Sequence, residues 1–392
     1  MTTILLTAAE PSGDAMGASL MKALGAARDG LRFVGGGGEA MKAAGLVDPV
    51  STDSLAVMGP VDAIAALPRA KKLANRIGLM AKKEQPDVAV LIDSWAFSKI
   101  VAKEIKRHSP HTKLVKLAVP QVWASRPERA KVAAEMFDLL LCLLPFEPQW
   151  FEQHGGKAVF VGNPNFQAAA STPRSGPGFR ARYGIGDAPL LLLLPGSRQG
   201  EVKRLLPVFA EILDEVRAKT PGLRIAVITA ASVEAKVKEE ASKWEGDIII
   251  VPPTERFDAF DAGDVALAAS GTVTTELALT GTPMVVAYKV GPVVAYWAKR
   301  VITTPYVTVL NVAAKQEIIP ERLQDDCMPA QLCADVTRLF HDDDERRKQI
   351  SAFRRLLPEL IGSEDPSVAA TREILALIDG DDSGDLDSGA QG

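Results

Sequence analysis

Two short stretches of small residues carry the most legible chemistry in this chain. Leu194-Pro195-Gly196-Ser197-Arg198 follows the apolar run 189–194, which reads as a buried strand. Ser270-Gly271-Thr272-Val273-Thr274-Thr275-Glu276 follows 265–269 and leads into 277–279, the expected start of a helix. A Gly/Ser/Thr turn at a helix N-terminus offers free backbone N–H groups and the positive end of the helix dipole, which suits a phosphate or pyrophosphate. Arg198 can add a fixed charge and forked donors to the same anion. Neither turn has the Gly-Lys-Ser/Thr of a Walker loop, and neither is a dinucleotide fingerprint. The expected ligand is a diphosphate leaving group held by backbone, hydroxyls and one arginine. One carboxylate also stands out. Asp93 ends the apolar run 88–92, so it belongs at a strand's C-terminal end, where the other reading is a cap for the helix from Phe97 onward.

Alternating elements must position these groups. Strands are expected at 4–8, 31–34, 87–92, 113–119, 139–144 and 158–161, with helical stretches such as 15–24 and 97–108 between them. Ser, Thr, Pro and Gly accumulate over 169–178, a linker signal. A second series follows at 190–194, 223–228, 247–251, 265–269 and 283–287. Alternation at this spacing predicts an α/β protein: two doubly wound, Rossmann-like parallel-sheet domains facing a cleft. The expected domains are 1–168, completed by helices within 345–378, and 179–344. The tail 379–392 is rich in Gly, Asp and Ser and is expected to be disordered.

Composition sets the outer bounds. A chain of 392 residues is long for one core, and 47% hydrophobic residues can bury two. A formal net charge of −4 argues against nucleic-acid binding through bulk charge. Cys142, Cys327 and Cys333 have apolar or helical surroundings and no metal-ligand spacing, which reads as buried thiols in a reducing cytoplasm. The N-terminal residues 1–7 lack a basic region ahead of their apolar run and read as a first strand. No apolar stretch approaches membrane-spanning length, so any contact with a bilayer is expected from one side.

Several segments together resemble the lipid-A-disaccharide synthases, glycosyltransferases with the two-domain GT-B fold. The resemblance runs from Glu10-Pro11-Ser12-Gly13-Asp14 and Phe33-Val34-Gly35-Gly36 through Leu55-Ala56-Val57-Met58-Gly59, Leu91-Ile92-Asp93 and Pro120-Gln121-Val122-Trp123-Ala124. It continues through Leu144-Pro145-Phe146-Glu147, both small-residue turns, the stretch 283–289, Asn311, Pro320-Glu321 and Gln324. Each motif alone is weak, but their order over roughly residues 1–330 is specific.

The resemblance implies inverting transfer of 2,3-diacylglucosamine from its UDP derivative to the primary hydroxyl of 2,3-diacylglucosamine 1-phosphate, in lipid A biosynthesis. It implies no cofactor and no metal. Asp93 matches the family's catalytic carboxylate and takes the role of general base. Gly196, Ser197, Arg198, Ser270, Gly271, Thr272, Glu276 and Asn311 carry over as donor-site residues, with Arg198 on the diphosphate and Glu276 on the ribose. Ser12, Gly13, Asp14, Met58, Gly59 and Trp123 carry over to the acceptor side of the cleft. For Ser12 and Asp14 the competing reading is a cap on the helix that begins near Ala15.

The chain also departs from the family pattern. Where the family reads Asp-Ala/Ser-Pro-Asp-Phe-Asn, this sequence has Asp93-Ser94-Trp95-Ala96-Phe97-Ser98, and a family Gly-His is Gly162-Asn163. These changes keep other readings open: transfer from a UDP-sugar to another acceptor, an epimerase on the same fold, or a UDP-sugar-binding protein without catalysis. Acylated substrates imply a cytoplasmic protein peripheral to the inner membrane, and a homo-oligomer is allowed. The expected membrane segment is 61–83, with Ile64, Leu67, Leu73, Ile77 and Leu79 among Arg69, Lys71, Lys72, Arg76, Lys82 and Lys83. Tyr296-Trp297-Ala298-Lys299-Arg300 is a weaker patch of the same kind.

Overall fold

Most strands of this chain are apolar on both faces, the pattern of a parallel sheet covered by helices on either side. The computed structural model describes residues 1–52 and 60–380. Met58 and Gly59 lie outside the described residues. The chain divides into two units: Met1–Pro164 joined by the chain from Gly362 onward, and Asn165–Ile361.

In the first unit, β1 (Thr2–Thr7), β2 (Leu31–Gly37), β3 (Val47–Ser51), β4 (Val88–Ile92), β5 (Lys113–Leu117), β6 (Leu139–Cys142) and β7 (Ala158–Phe160) form one sheet. Its order is β3-β2-β1-β4-β5-β6-β7, and every pairing is parallel. Period-2 alternation divides the strand residues between two core layers. Leu5, Ala89, Leu91, Leu114 and Leu140 pack under helices Pro60–Glu84 and Trp95–His108. Ile4, Leu6, Val90, Ile92, Val115 and Leu141 pack under helix Pro11–Ala27 and the C-terminal helix Pro366–Asp379. Each such aliphatic side chain contributes about 1.5–3 kcal/mol of burial.

The second unit repeats the plan. Its strands are β8 (Leu190–Leu194), β9 (Arg224–Ile228), β10 (Ile248–Val251), β11 (Val265–Ala269), β12 (Met284–Tyr288) and β13 (Glu321–Leu323). They run parallel in the order β10-β9-β8-β11-β12-β13. In both sheets the winding direction reverses beside the first strand, between β1 and β4 and between β8 and β11. The loops leaving those strand ends diverge and open a crevice, where open α/β sheets hold ligands.

The boundary differs from the sequence expectation. The segment 169–178 runs from the end of helix Pro164–Ser171 into helix Gly176–Arg182, within the second unit, and the Ser175 and Gly176 N–H groups donate to Asp258 and Asp261 at 2.7 Å each. Of the stretch 345–378, only its C-terminal helix completes the first unit. Helix Asp343–Ile361 stays with the second, where buried Gln349 exchanges hydrogen bonds with the Met284 backbone at 2.7 and 3.0 Å. Asp379 ends helix Pro366–Asp379 in an ion pair with Arg28 at 2.5 Å, and residues 381–392 of the expected tail lie outside the described residues.

Helix Pro60–Glu84 also corrects the proposed anchor list. Leu73 and Ile77 are buried core residues, whereas Leu67 and Leu79 are exposed beside exposed Arg69, Lys71, Lys72, Arg76, Lys82 and Lys83. The Ile64 side chain lies outside the described residues. Among the described residues no helix is long and apolar enough to cross a membrane.

Candidate active site

The two small-residue turns, distant in sequence, meet at the crevice of the second unit. They line a pocket of about 500 Å³ at the C-terminal ends of β8, β9 and β11. Gly196, Ser197, Arg198, Ser270, Gly271, Thr272 and Glu276 all face it. The turns contribute differently. After β8, buried Glu201 reaches back over its own helix start. Its Oε2 accepts from the Ser197 and Arg198 N–H groups at 3.1 and 3.3 Å, so those amides are already taken. After β11, Gly271 is the N-cap of helix Thr272–Thr280 and supplies no side-chain cap. The first amides of that helix and its dipole therefore make the better anion site.

Gly271 has φ 156° and ψ −165°, a conformation nearly restricted to glycine. A Cβ built there meets nothing within 4 Å, so the space above its backbone is open to a ligand. The Arg198 guanidinium is 80% exposed and contacts Glu201 at 3.2 Å. A pair so exposed contributes at most about 1 kcal/mol, little enough to yield to a diphosphate.

Glu276 points into the same pocket from the second turn of its helix. Burial pushes its carboxyl up, and Arg256, whose Nη2 lies 3.4 Å from Oε1, opposes that rise. Arg256 stacks on Phe257 at 4.6 Å, and its buried Nε has no protein partner. It is a further candidate donor that sequence reading missed, signalled by Pro252-Pro253-Thr254-Glu255 after β10.

In the first unit, Asp93 stands where the loops after β1 and β4 diverge. It does not cap the following helix, which starts at Trp95 with Ser94 as N-cap and no side-chain cap bond. The carboxylate instead accepts from the Ser12 hydroxyl at 3.3 Å. Gly13 lies directly beneath it. A Cβ at that glycine would come within 3.3 Å of Asp93 Cβ, so the bare Cα lets helix Pro11–Ala27 approach the end of β4. Burial and the Asp93 charge together push the Glu10 carboxyl up.

The backbone of Asp93 is left-handed, with φ 52°. Its N–H donates to Leu117 O at 3.0 Å, and its carbonyl accepts from Ser98 Oγ at 3.0 Å and Lys116 Nζ at 2.5 Å. Lys116 is fully buried and was not singled out from sequence, where it reads as a polar interruption in an apolar strand.

Three expected site residues make hydrogen bonds within the fold. Asp14 does not cap its own helix. Its carboxylate accepts from Gly38, Ala40 and Met41 N–H at 2.8, 2.8 and 3.2 Å and caps helix Glu39–Ala43. Trp123 is buried, with its indole N–H donating to Glu147 at 3.1 Å and its ring edge-on to Phe146 at 5.3 Å. Burial pushes the Glu147 carboxyl up to about 7, against hydrogen bonds from Trp123, Leu144 and Leu143. Asn311 is fully buried away from the pocket. Its Nδ2 donates to Ile319 O and Glu321 Oε1 at 2.8 Å each, and its Oδ1 accepts from Ile318 and Ile319 N–H at 2.9 Å each.

A family model described as Lipid-A-disaccharide synthetase matches residues 4–371. The chain is 38% identical over 380 residues to a lipid-A-disaccharide synthase of Paramagnetospirillum magneticum, covering 96% of this chain and 97% of that protein. It is 40% identical over 384 residues to a lipid-A-disaccharide synthase of Gluconobacter oxydans, covering 96% and 90%. Among solved structures, S. aureus MnaA with UDP superposes with a TM-score of 0.64 at 13% identity, covering 97% of each chain. That last likeness concerns the fold, two parallel-sheet α/β domains of GT-B type.

Proposed function

The chain belongs to the lipid-A-disaccharide synthetase family, and from that premise we propose that it carries out one inverting glycosyl transfer in lipid A biosynthesis. The donor is UDP-2,3-diacylglucosamine and the acceptor is 2,3-diacylglucosamine 1-phosphate. The products are the lipid A disaccharide 1-phosphate and UDP. The acceptor's primary hydroxyl attacks the anomeric carbon on the face opposite UDP, and Asp93 takes its proton. As the glycosidic bond to the diphosphate breaks, the negative charge that develops is met by Arg198 and by the first amides and dipole of helix Thr272–Thr280. Glu276 accepts from the ribose hydroxyls. Ser12 steadies the Asp93 carboxylate and, with Gly13, borders the acceptor.

The observation that carries this reading is the assembly of both turns into one pocket with a glycine-opened helix N-terminus, in a chain matched to the family along 4–371. Contact with an anionic membrane surface belongs to the same proposal. The outward face of helix Pro60–Glu84 carries six exposed cations beside Leu67 and Leu79, which suits electrostatic attachment with shallow apolar contact. Helix Pro292–Val301 adds exposed Val294 and Tyr296.

The test is direct. Purified protein is incubated with both substrates and the disaccharide is followed by mass spectrometry, with Asp93→Ala beside the wild type. Product from wild type and almost none from the variant is the expected result. A variant as fast as wild type removes Asp93 as base. No product from a wild type that still binds UDP points to a different acceptor.

A further inference from the structure

We infer that Lys116 is a positioning residue for the transfer: its buried ammonium clamps the Asp93 carbonyl and fixes the left-handed backbone from which the carboxylate projects. The inference rests on the reading of Asp93 as the base.

Lys116 lies inside β5, between Leu91 of β4 and Leu140 of β6, in a strand whose other inward positions are aliphatic. A leucine there would be the favoured choice for stability, because a buried ammonium loses its hydration. The chain carries lysine, and its three N–H donors meet three carbonyls: Asp93 O at 2.5 Å, Leu117 O at 2.9 Å and Leu91 O at 3.3 Å. Leu117 O also accepts the Asp93 N–H at 3.0 Å. Lys116 thus closes a ring in which both backbone groups of Asp93 are tied to β5. An aspartate at φ 52° is disfavoured by steric crowding and persists only where its surroundings over-determine it. The ring does that, and Ser98 Oγ gives the same carbonyl a second donor at 3.0 Å.

Burial lowers the Lys116 ammonium to about 7, and the Asp93 charge resists that fall. The charged groups that bear on the spot are Lys116 from β5, Asp93 from the end of β4 and Glu10 from the segment after β1. The helix after β4 presents Ser98, which is uncharged.

Steady-state kinetics, UDP affinity by calorimetry and thermal unfolding of the full-length chain test this in Lys116→Met, Lys116→Gln, Ser98→Ala and Asp93→Ala. Lys116→Met should lower kcat about tenfold to a hundredfold, the scale of a small misplacement of a reacting group. UDP affinity and donor KM should stay within about twofold of wild type, since they belong to the other unit's pocket. Lys116→Gln keeps N–H donors for the Asp93 carbonyl, so it should recover part of kcat. Ser98→Ala should lower kcat less, and it carries the test if the Met variant does not fold. A Met variant with wild-type kcat overturns the inference, as does a loss of kcat that Gln does not relieve. An active Asp93→Ala would instead overturn the assignment of the base.

Discussion

Replacing Asn311 by alanine should weaken the fold and spare the nucleotide. Four side-chain hydrogen bonds end on that amide, and its removal strands the Ile318 N–H and the backbone N–H and carbonyl of buried Ile319, while Glu321 keeps its bonds from Thr308. Left unsatisfied, these should cost about 2–4 kcal/mol in chemical denaturation. UDP affinity of the folded variant should stay within about twofold of wild type. A tenfold loss of affinity at unchanged stability would restore Asn311 to the donor site. Residue type alone could not decide this. An asparagine in a polar turn looks the same whether its amide meets a ligand or its own backbone. Asp14 is the same case over a longer span, since the helix it caps begins at Glu39, beyond the reach of local pattern. That Glu276, Gly271 and Arg198 line one pocket was legible because apolar strands fixed where their turns must open. Lys116 and Glu147 were not, because sequence gives no measure of how completely a charged residue is covered.

At the scale of elements, Gly271→Ala is the sharpest test of the anion site. The added methyl has open space around it, so the cost is backbone strain: about 1–3 kcal/mol if φ 156° is kept. Relief of that strain would turn the first amides of helix Thr272–Thr280 away from the pocket. UDP affinity should fall about tenfold or more, the effect of losing one charge-assisted hydrogen bond. Unchanged affinity would mean that the diphosphate sits elsewhere. The strands leading to this turn were readable because each is an unbroken apolar run. β3 (Val-Asp-Pro-Val-Ser) and the three-residue β13 escaped for the opposite reason. Both are edge strands, where one-sided pairing tolerates proline and charge.

For the whole molecule, the family was legible because weak motifs stood in order along the chain; the consequences of burial were not. Among the described residues of the first unit, burial moves Glu147 and Lys116 to about 7, and their effects on stability have opposite slopes. Glu147 is raised from 4.5 to about 7, so the folded state holds its proton more tightly. Its contribution is fully present below pH 4.5 and is lost as pH rises through 7, on the order of 3 kcal/mol at about 1.4 kcal/mol per pKa unit. Lys116 is lowered from 10.5 to about 7, so the unfolded state binds the proton more tightly. Its contribution is present above pH 10.5 and is lost as pH falls through 7, on the order of 5 kcal/mol. Together they predict a minimum in stability near pH 7, with higher values at pH 5 and pH 9, read by urea unfolding of the wild type. Glu147→Gln should flatten the acidic arm alone and Lys116→Met the alkaline arm alone. Wild-type and variant curves that run parallel across this range would mean that neither group changes its proton affinity on folding. The ammonium that ties Asp93 in place would then be held at no electrostatic cost to the fold.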